Sequence, residues 1–223
     1  EDRLGPERAC AQGWISPRAM RNGIIVTVLF ACLIGSALLF YAGWELIIVG
    51  LLCVLFAFLY TTGPYPLSYN GWGDVLVIVF FGFVPVGGTY YVQALTWTSD
   101  TTVASLICGL LIDTLLVVNN YRDREADARS GKRTVIVRFG EKFGRYLYLM
   151  LGVAASLLCF WFFFEGHLFA ALLPLLYLIP HVLTWRRMVQ IHSGKKLNSI
   201  LGETSRNMLL MGILLSIGFL IRH

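Results

Sequence analysis

Two aspartates, Asp123 and Asp127, stand four residues apart in the run Asn119-Asn120-Tyr121-Arg122-Asp123-Arg124-Glu125-Ala126-Asp127, which leads into Gly131-Lys132-Arg133-Thr134. On a helix that spacing rotates the two carboxylates by only about 40°, so both share one face. Asn120 falls on the same stripe, and Asp113 falls seven residues before it. Carboxylate and amide oxygens of this kind suit magnesium, which takes one or two carboxylates and leaves its other positions to water and phosphate oxygens. The cations Arg122, Lys132 and Arg133 can neutralise phosphate oxygens that a metal does not reach. At a membrane surface this combination points to the handling of a lipid diphosphate. The same run also reads as a solvated, charge-laced loop, because acids interleaved with basic residues form surface pairs worth roughly a few tenths of a kcal/mol each.

The elements that must position these residues are membrane helices. Only 14% of the 223 residues are charged, against about 25% in soluble domains. Apolar stretches long enough to span a bilayer occur at 20–41, 44–62, 74–95, 101–121, 143–163, 168–185 and 206–222. The expected fold is therefore an all-α integral membrane protein with seven transmembrane helices. Gly152, Pro174 and Pro180 interrupt the later spans, which neighbouring helices can accommodate. With the N-terminus in the cytoplasm, 17 of the 18 Lys and Arg residues fall on inner segments: four up to Arg21, eight from Arg122 to Arg145 and five from Arg186 to Arg206. Only Arg222 falls outside, as the positive-inside rule requires. The net charge of +5 is thus a topology signal, and no nucleic-acid partner is expected.

The inner loops are longer and more polar than the outer ones, so a site at the cytoplasmic mouth of the bundle is expected. Tyr60–Asp74 is one such loop. Pro64 and Pro66 stiffen it, Gly63, Gly71 and Gly73 permit tight turns, and Tyr60, Tyr65, Tyr69 and Asn70 offer polar groups without a cation. It suits either an interfacial aromatic belt or a fixed cap over a pocket. Asp113 lies within a span, where a carboxylate costs about 2.5–3.5 kcal/mol unless it faces a cavity or a partner. Taken alone it also fits an ion path through a transporter, although ionisable residues are scarce within the spans. His181 has no acidic companion and reads as a satisfied core histidine. Lys195 and Lys196 read as a surface anchor to anionic lipid. Cys10, Cys32, Cys53, Cys108 and Cys159 show no metal or redox spacing and read as small buried hydrophobes.

Asn120-Tyr121-Arg122-Asp123 with Asp127, followed by Gly131-Lys132-Arg133-Thr134, Val137-Arg138 and Gly140, resembles the second aspartate-rich motif of the UbiA-type intramembrane prenyltransferases. Gly63-Pro64-Tyr65-Pro66-Leu67 with Tyr69, Gly71 and Gly73 is similar to segments of the branch that prenylates naphthoates. So are Gly88-Thr89-Tyr90-Tyr91-Val92-Gln93, and Asp2-Arg3-Leu4-Gly5-Pro6 with Arg8, Gly13 and Ile15. The resemblance implies a UbiA-like helical bundle of nine helices when complete, with residues 1–223 forming a single domain. It also implies an earlier N-D-x-x-D-x-x-x-G-x-D motif that this sequence does not contain. The chain, which starts at Glu1 rather than Met, is accordingly expected to be N-terminally incomplete, with an inactive remnant as one reading.

By resemblance, Asp123, Asp127 and Asn120 would hold magnesium against the diphosphate of a polyprenyl diphosphate donor. Arg122, Lys132 and Arg133 would balance its charge. Tyr60, Tyr65 and Asn70 would shape the pocket. The implied acceptor is 1,4-dihydroxy-2-naphthoate, favoured over 4-hydroxybenzoate by the lack of basic residues in the Tyr60–Asp74 loop. Homogentisate, chlorophyllide or a lipid glycerol phosphate remain alternatives, and the implied location is a bacterial cytoplasmic membrane. The charge asymmetry predicts that a reporter fused after His223 lies on the outer face. A protease- or label-accessibility assay on intact cells checks this, and a cytoplasmic signal would break the assigned orientation.

Overall fold

Thr98 starts the helix around which the others pack: its hydroxyl accepts from the Thr101 backbone N–H at 3.1 Å, and Asp100 follows in the first turn, both favourable at a helix N-terminus. The computed structural model describes residues 4, 5 and 7–221, and no strand forms among them. Asp2, Arg3 and Pro6 of the N-terminal motif, and Arg222 and His223 at the expected outer end, lie outside the described residues. The helices are α1 (Pro17–Ala37), α2 (Glu45–Thr61), α3 (Gly73–Ala94), α4 (Ser99–Arg129), the short α5 (Val135–Phe139), α6 (Glu141–Phe164), α7 (Leu168–Ile191) and α8 (Leu197–Leu220). Among the described residues, α3, α4, α6, α7, α8 and α1 with its 3₁₀ extension to Phe40 are long and apolar enough to cross a membrane; α2 is a shorter apolar helix of 17 residues.

Helix α4 serves two cores at once. Val117, Val118 and Tyr121 pack with Ile136, Tyr148, Met188, Leu197 and Ile200 near one end. Ile107 and Leu111 pack with Ala155, Cys159, Phe162, Ala170, Tyr177 and Met211 near the other. On its remaining side lies α3, whose middle, Ile78–Gly87, is π-helical around Pro85. Proline lacks an N–H and crowds the carbonyl four residues back, so a wider turn relieves the clash. Here α3 and α4 meet backbone to backbone: a Cβ on Gly82 would lie 2.5 Å from the Ser105 carbonyl and 2.8 Å from Gly109 Cα. By contrast, no residue of α1 or α2 is buried.

Three expectations are corrected. Helix α4 does not end near Tyr121 but runs two further turns to Arg129, so the aspartate run is helical. Helix α8 begins at Leu197, well before the expected 206, and takes in most of the polar 186–206 connection. Gly152 does not break its helix: it makes room for the His181 ring, whose Nε2 would lie 2.3 Å from an added Cβ. Of the cysteines, Cys159 is buried and Cys32 exposed, with the other three partly exposed. Pro174 does interrupt α7, as a 3₁₀ segment over Leu173–Tyr177.

His181 is fully buried between Tyr148 and Tyr177, with ring centroids 4.7 and 5.0 Å away. Its Nε2 donates to the Leu149 carbonyl at 3.2 Å, which leaves Nδ1 to accept from the Tyr177 hydroxyl at 2.9 Å. That is a neutral, structural imidazole. The α3–α4 contact predicts that Gly82→Ala destabilises the detergent-solubilised protein by about 1–3 kcal/mol, since backbone cannot yield to a methyl group. Gly50→Ala on α2, where nothing lies within 4 Å, leaves the thermal midpoint unchanged or raises it. A thermal-unfolding series on the two variants checks the contrast.

Candidate active site at the polar mouth of the bundle

The end of α4 places Asn119, Asn120, Asp123 and Asp127 on one wall of a cavity of about 450 Å³. The opposite wall is the Tyr60–Asp74 connection, contributing Tyr60, Thr61, Ser68, Tyr69, Gly71, Gly73 and Asp74. Leu116 of α4, Lys132, Thr134 and Arg8 complete the lining.

The connection is held as a rigid cap. Ser68 Oγ donates to the Tyr60 carbonyl at 2.6 Å, and Asn70 Nδ2 donates to the Pro66 carbonyl at 2.8 Å. The Arg133 backbone N–H donates to the Tyr69 carbonyl at 2.7 Å, and Arg138 Nη2 to that of Asn70 at 2.8 Å. Gly71 has φ +83°, and a Cβ there would stand 2.9 Å from the Arg133 carbonyl. Both the angle and the space require glycine.

Arg122 is the most heavily committed side chain of the site, with its side chain only 4% exposed. Its Nε and Nη2 donate to the two oxygens of Asp123 at 2.8 and 2.6 Å. Nη2 also donates to Asn119 Oδ1 at 2.7 Å, and Nη1 to Asn198 Oδ1 on α8 at 2.8 Å. Asn198 Nδ2 in turn donates to the Leu4 carbonyl at 3.0 Å. This planar fork uses the bidentate geometry that lysine cannot match. Lys132 Nζ lies 2.8 Å from Asp127 Oδ1 and 5.3 Å from the centre of the Tyr69 ring.

On the far side of α4, Arg124 caps the Tyr121 ring at 4.5 Å and reaches Glu141 Oε2 at 3.4 Å. Glu141 also accepts from Tyr121 at 3.1 Å and pairs with Arg145 and with His192, the last at 3.0 Å.

Of the residues singled out in the sequence, Asn120, Asp123, Asp127, Lys132 and Tyr60 therefore meet in one cavity. Arg122 lies behind it, orienting Asp123. Arg133 is exposed and touches the site through its backbone; Asn70 braces the cap; Tyr65 is exposed, and none of these three is among the lining residues. Arg8, Ser68, Asp74 and Thr134 were not singled out in the sequence as site residues, while Asn119 belongs to the amide pair one turn before the aspartates and shares the face of Asp123. Asp74 had a usable signal, an acid at the start of an apolar span, whereas Arg8 is brought in only by tertiary packing.

Among the described residues no group of three or more His, Cys, Asp or Glu side chains is placed to hold a metal. Among the donors that line the cavity, the Asp123 and Asp127 carboxylates with the neighbouring amide of Asn120 nonetheless fit a magnesium ion whose remaining ligands are water and phosphate.

A second, apolar cavity of about 750 Å³ opens beside the first, lined by Phe56, Phe80, Phe81, Ile112, Leu115 and neighbours. The two share Tyr60, Leu116 and Asn119.

The chain is a multi-pass helical membrane protein in which an acid-rich polar pocket joins an apolar groove. The model of the UbiA prenyltransferase family matches residues 1–216, and the chain belongs to that family. It is 37% identical over 235 residues to a 1,4-dihydroxy-2-naphthoate octaprenyltransferase of Haemophilus influenzae, covering 99% of this chain and 74% of that protein. Enzymes of the same description from Escherichia coli and Mycobacterium tuberculosis are each 38% identical, over 71% and 72% of this chain and 53% and 55% of their own lengths. The chain thus spans about three quarters of the first and about half of the other two.

The Arg122 fork predicts strong coupling between α4 and α8. Arg122→Ala costs about 1–3 kcal/mol by leaving Asp123 and Asn198 short of a donor. A double-mutant cycle with Asn198→Ala, read by chemical or thermal unfolding in detergent, gives an interaction energy of about 1 kcal/mol. Strict additivity would show that the observed hydrogen bond carries no weight.

Proposed function

We propose that this protein transfers a polyprenyl group from polyprenyl diphosphate to 1,4-dihydroxy-2-naphthoate, with loss of diphosphate and carbon dioxide, giving demethylmenaquinone at the inner face of a bacterial cytoplasmic membrane. One observation carries this reading: the polar cavity and the apolar groove meet at Tyr60, Leu116 and Asn119. A diphosphate head in the first and a prenyl tail in the second place the scissile allylic carbon at that junction. The three relatives, each a 1,4-dihydroxy-2-naphthoate octaprenyltransferase, support this acceptor.

The chain's own residues supply positioning and charge. Lys132 and Arg8 are the cations lining the head pocket, and they stabilise the negative charge that grows on the diphosphate as the allylic C–O bond breaks, usually the largest catalytic term. Arg122 keeps Asp123 directed at the cavity, and Asp127 keeps Lys132 there. Tyr60, at the junction, presents an aromatic ring to the positive charge developing on the allylic carbon. Asp123, Asp127 and the Asn120 amide are the residues that would hold magnesium, which supplies charge neutralisation at the diphosphate without proton transfer.

Membranes containing the full-length protein, given polyprenyl diphosphate, dihydroxynaphthoate and magnesium, are expected to form demethylmenaquinone detectable by mass spectrometry, and a chelator abolishes it. Asp123→Asn and Asp127→Asn each lower the rate by about 10²-fold or more while the protein still inserts. Full activity in both variants would remove the carboxylates from the mechanism.

A further inference from the structure

At the head pocket and below it lie two carboxylates, Asp74 and Asp113, that form no ion pair among the described residues. Asp74 lines the cavity at the start of α3. Asp113 lies on α4, seven residues or about 10 Å of helix rise below Asn120, and is only 1% exposed. Leu116, one turn on from Asp113, lines both cavities, so Asp113 sits on the cavity side of α4. The Cβ position of Gly73, next to Asp74, stands 3.2 Å from Leu116 Cδ2, so the start of α3 meets α4 about one turn from Asp113. The Tyr60 hydroxyl stands 3.6 Å from the Cβ position of Gly73, beside Asp74. Oδ1 of Asp74 and Oδ1 of Asp113 are both buried without a hydrogen-bond partner, and neither residue takes part in any of the ion pairs found among the described residues.

Buried polar atoms in native proteins are normally paired, and two neighbouring carboxylates that each bury an oxygen without a partner combine desolvation with like-charge repulsion. The carboxylates nearer the mouth show the contrast: Asp123 has Arg122 and Asp127 has Lys132. An acid at the wall of a binding cavity with one oxygen unpartnered, backed by a second buried acid in the same condition, fits a ligand that brings the missing donor. A ring bearing two hydroxyls, seated where head pocket meets tail groove, is such a ligand.

Building on the proposed function, we propose that Asp74, backed by Asp113, is the base that takes a ring-hydroxyl proton from the aromatic acceptor. The O–H bond of the hydroxyl beside the carboxylate breaks and its proton passes to Asp74. The electron pair left on oxygen drives the adjacent ring carbon, which carries the carboxylate, to bond the allylic carbon as the C–O bond to diphosphate breaks. The bond to the carboxylate then breaks, carbon dioxide leaves, the electron pair returns to the ring, and Asp74 gives the proton back to the oxygen. No external oxidant or net proton is needed. Asp74 is the catalytic residue and Asp113 a positioning residue that keeps it short of donors. The other charged or titratable groups facing this point are Tyr60 from α2, Asp123 and Asp127 from α4, and Lys132 and Arg8 across the cavity.

The test is a pH profile of prenyl transfer in membranes holding the wild type, Asp74→Asn, Asp74→Glu or Asp113→Asn. Asp74→Asn is expected to lower kcat by about 10²–10⁴-fold with the donor KM unchanged. Its rate should climb again as the pH approaches the hydroxyl's own ionisation. Asp74→Glu should recover much of the loss, and Asp113→Asn should move the acidic limb of the profile. Wild-type kcat in Asp74→Asn, or a pH-independent loss accompanied by a raised donor KM, overturns the base assignment while leaving the prenyltransferase reading intact. Should Asp74→Asn fail to accumulate, an unmoved limb in Asp113→Asn overturns it instead. A wild type that prenylates no naphthoate removes the proposed function and this inference together.

Discussion

The guanidinium of Arg122 is the interaction on which the rest of the mouth depends. A cation this deeply covered needs acceptors on every edge of its fork, and Asp123, Asn119 and Asn198 supply them. Arg124, two residues on and about 200° round the helix, is satisfied in the opposite direction by Glu141 and the Tyr121 carbonyl. These two sets of ionic contacts on opposite faces leave α4 little rotational freedom. That fixed rotation turns Asn120, Asp123 and Asp127 to the cavity while Val117, Val118 and Tyr121 face the core.

The apolar groove depends on a different constraint, the approach of α3 to α4. Gly82 and Gly109 let the backbones touch, the small-residue contact by which helices pack where the solvent is as apolar as the side chains. The π-helical turns around Pro85 change the angular spacing of side chains along α3, and Phe80 and Phe81 become the groove wall opposite Ile112 and Leu115. The Phe80 ring is met by Phe56 of α2, with centroids 5.2 Å apart. The groove is thereby shaped on three sides and joined to the head pocket by Tyr60 alone from α2.

Much of this was legible in the sequence, for a physical reason. Spans advertise themselves through hydropathy, and a stripe at positions 113, 120, 123 and 127 is a matter of helical arithmetic. The helix ends were misjudged where hydropathy stops being informative. From Arg122 to Arg129 a charged helix and a charged loop have the same composition, and only the acid–base spacing Glu125 to Arg129 and the stop at Ser130-Gly131 hint at the former. Helix α8 hides its first turns for the same reason: Asn198, Ser199, Glu203 and Arg206 look like loop, yet Asn198 reaches Arg122 and Glu203 reaches Arg187 at 2.5 Å. Arg122 carried the subtler trap. Its neighbour in sequence is also its ion-pair partner, so a cation apparently available for phosphate serves to aim a carboxylate.

Charge along α4 is then ordered by depth. At the mouth each acid has its own cation, which holds the carboxylate in place without reorganisation when an anion and its counter-ions arrive. Lower down, at Asp113 and across at Asp74, no ion pair forms among the described residues, although the cost of an unpaired charge rises with depth in a bilayer. Placing a cation there would have been the cheaper way to stabilise the fold. It would also have placed an ion pair beside the junction of the two cavities and lowered the basicity of the carboxylate proposed to act there. On the proposed reaction the unpaired acids complement the paired ones: one set would hold the leaving group, and the other would stay reactive towards the ring that replaces it.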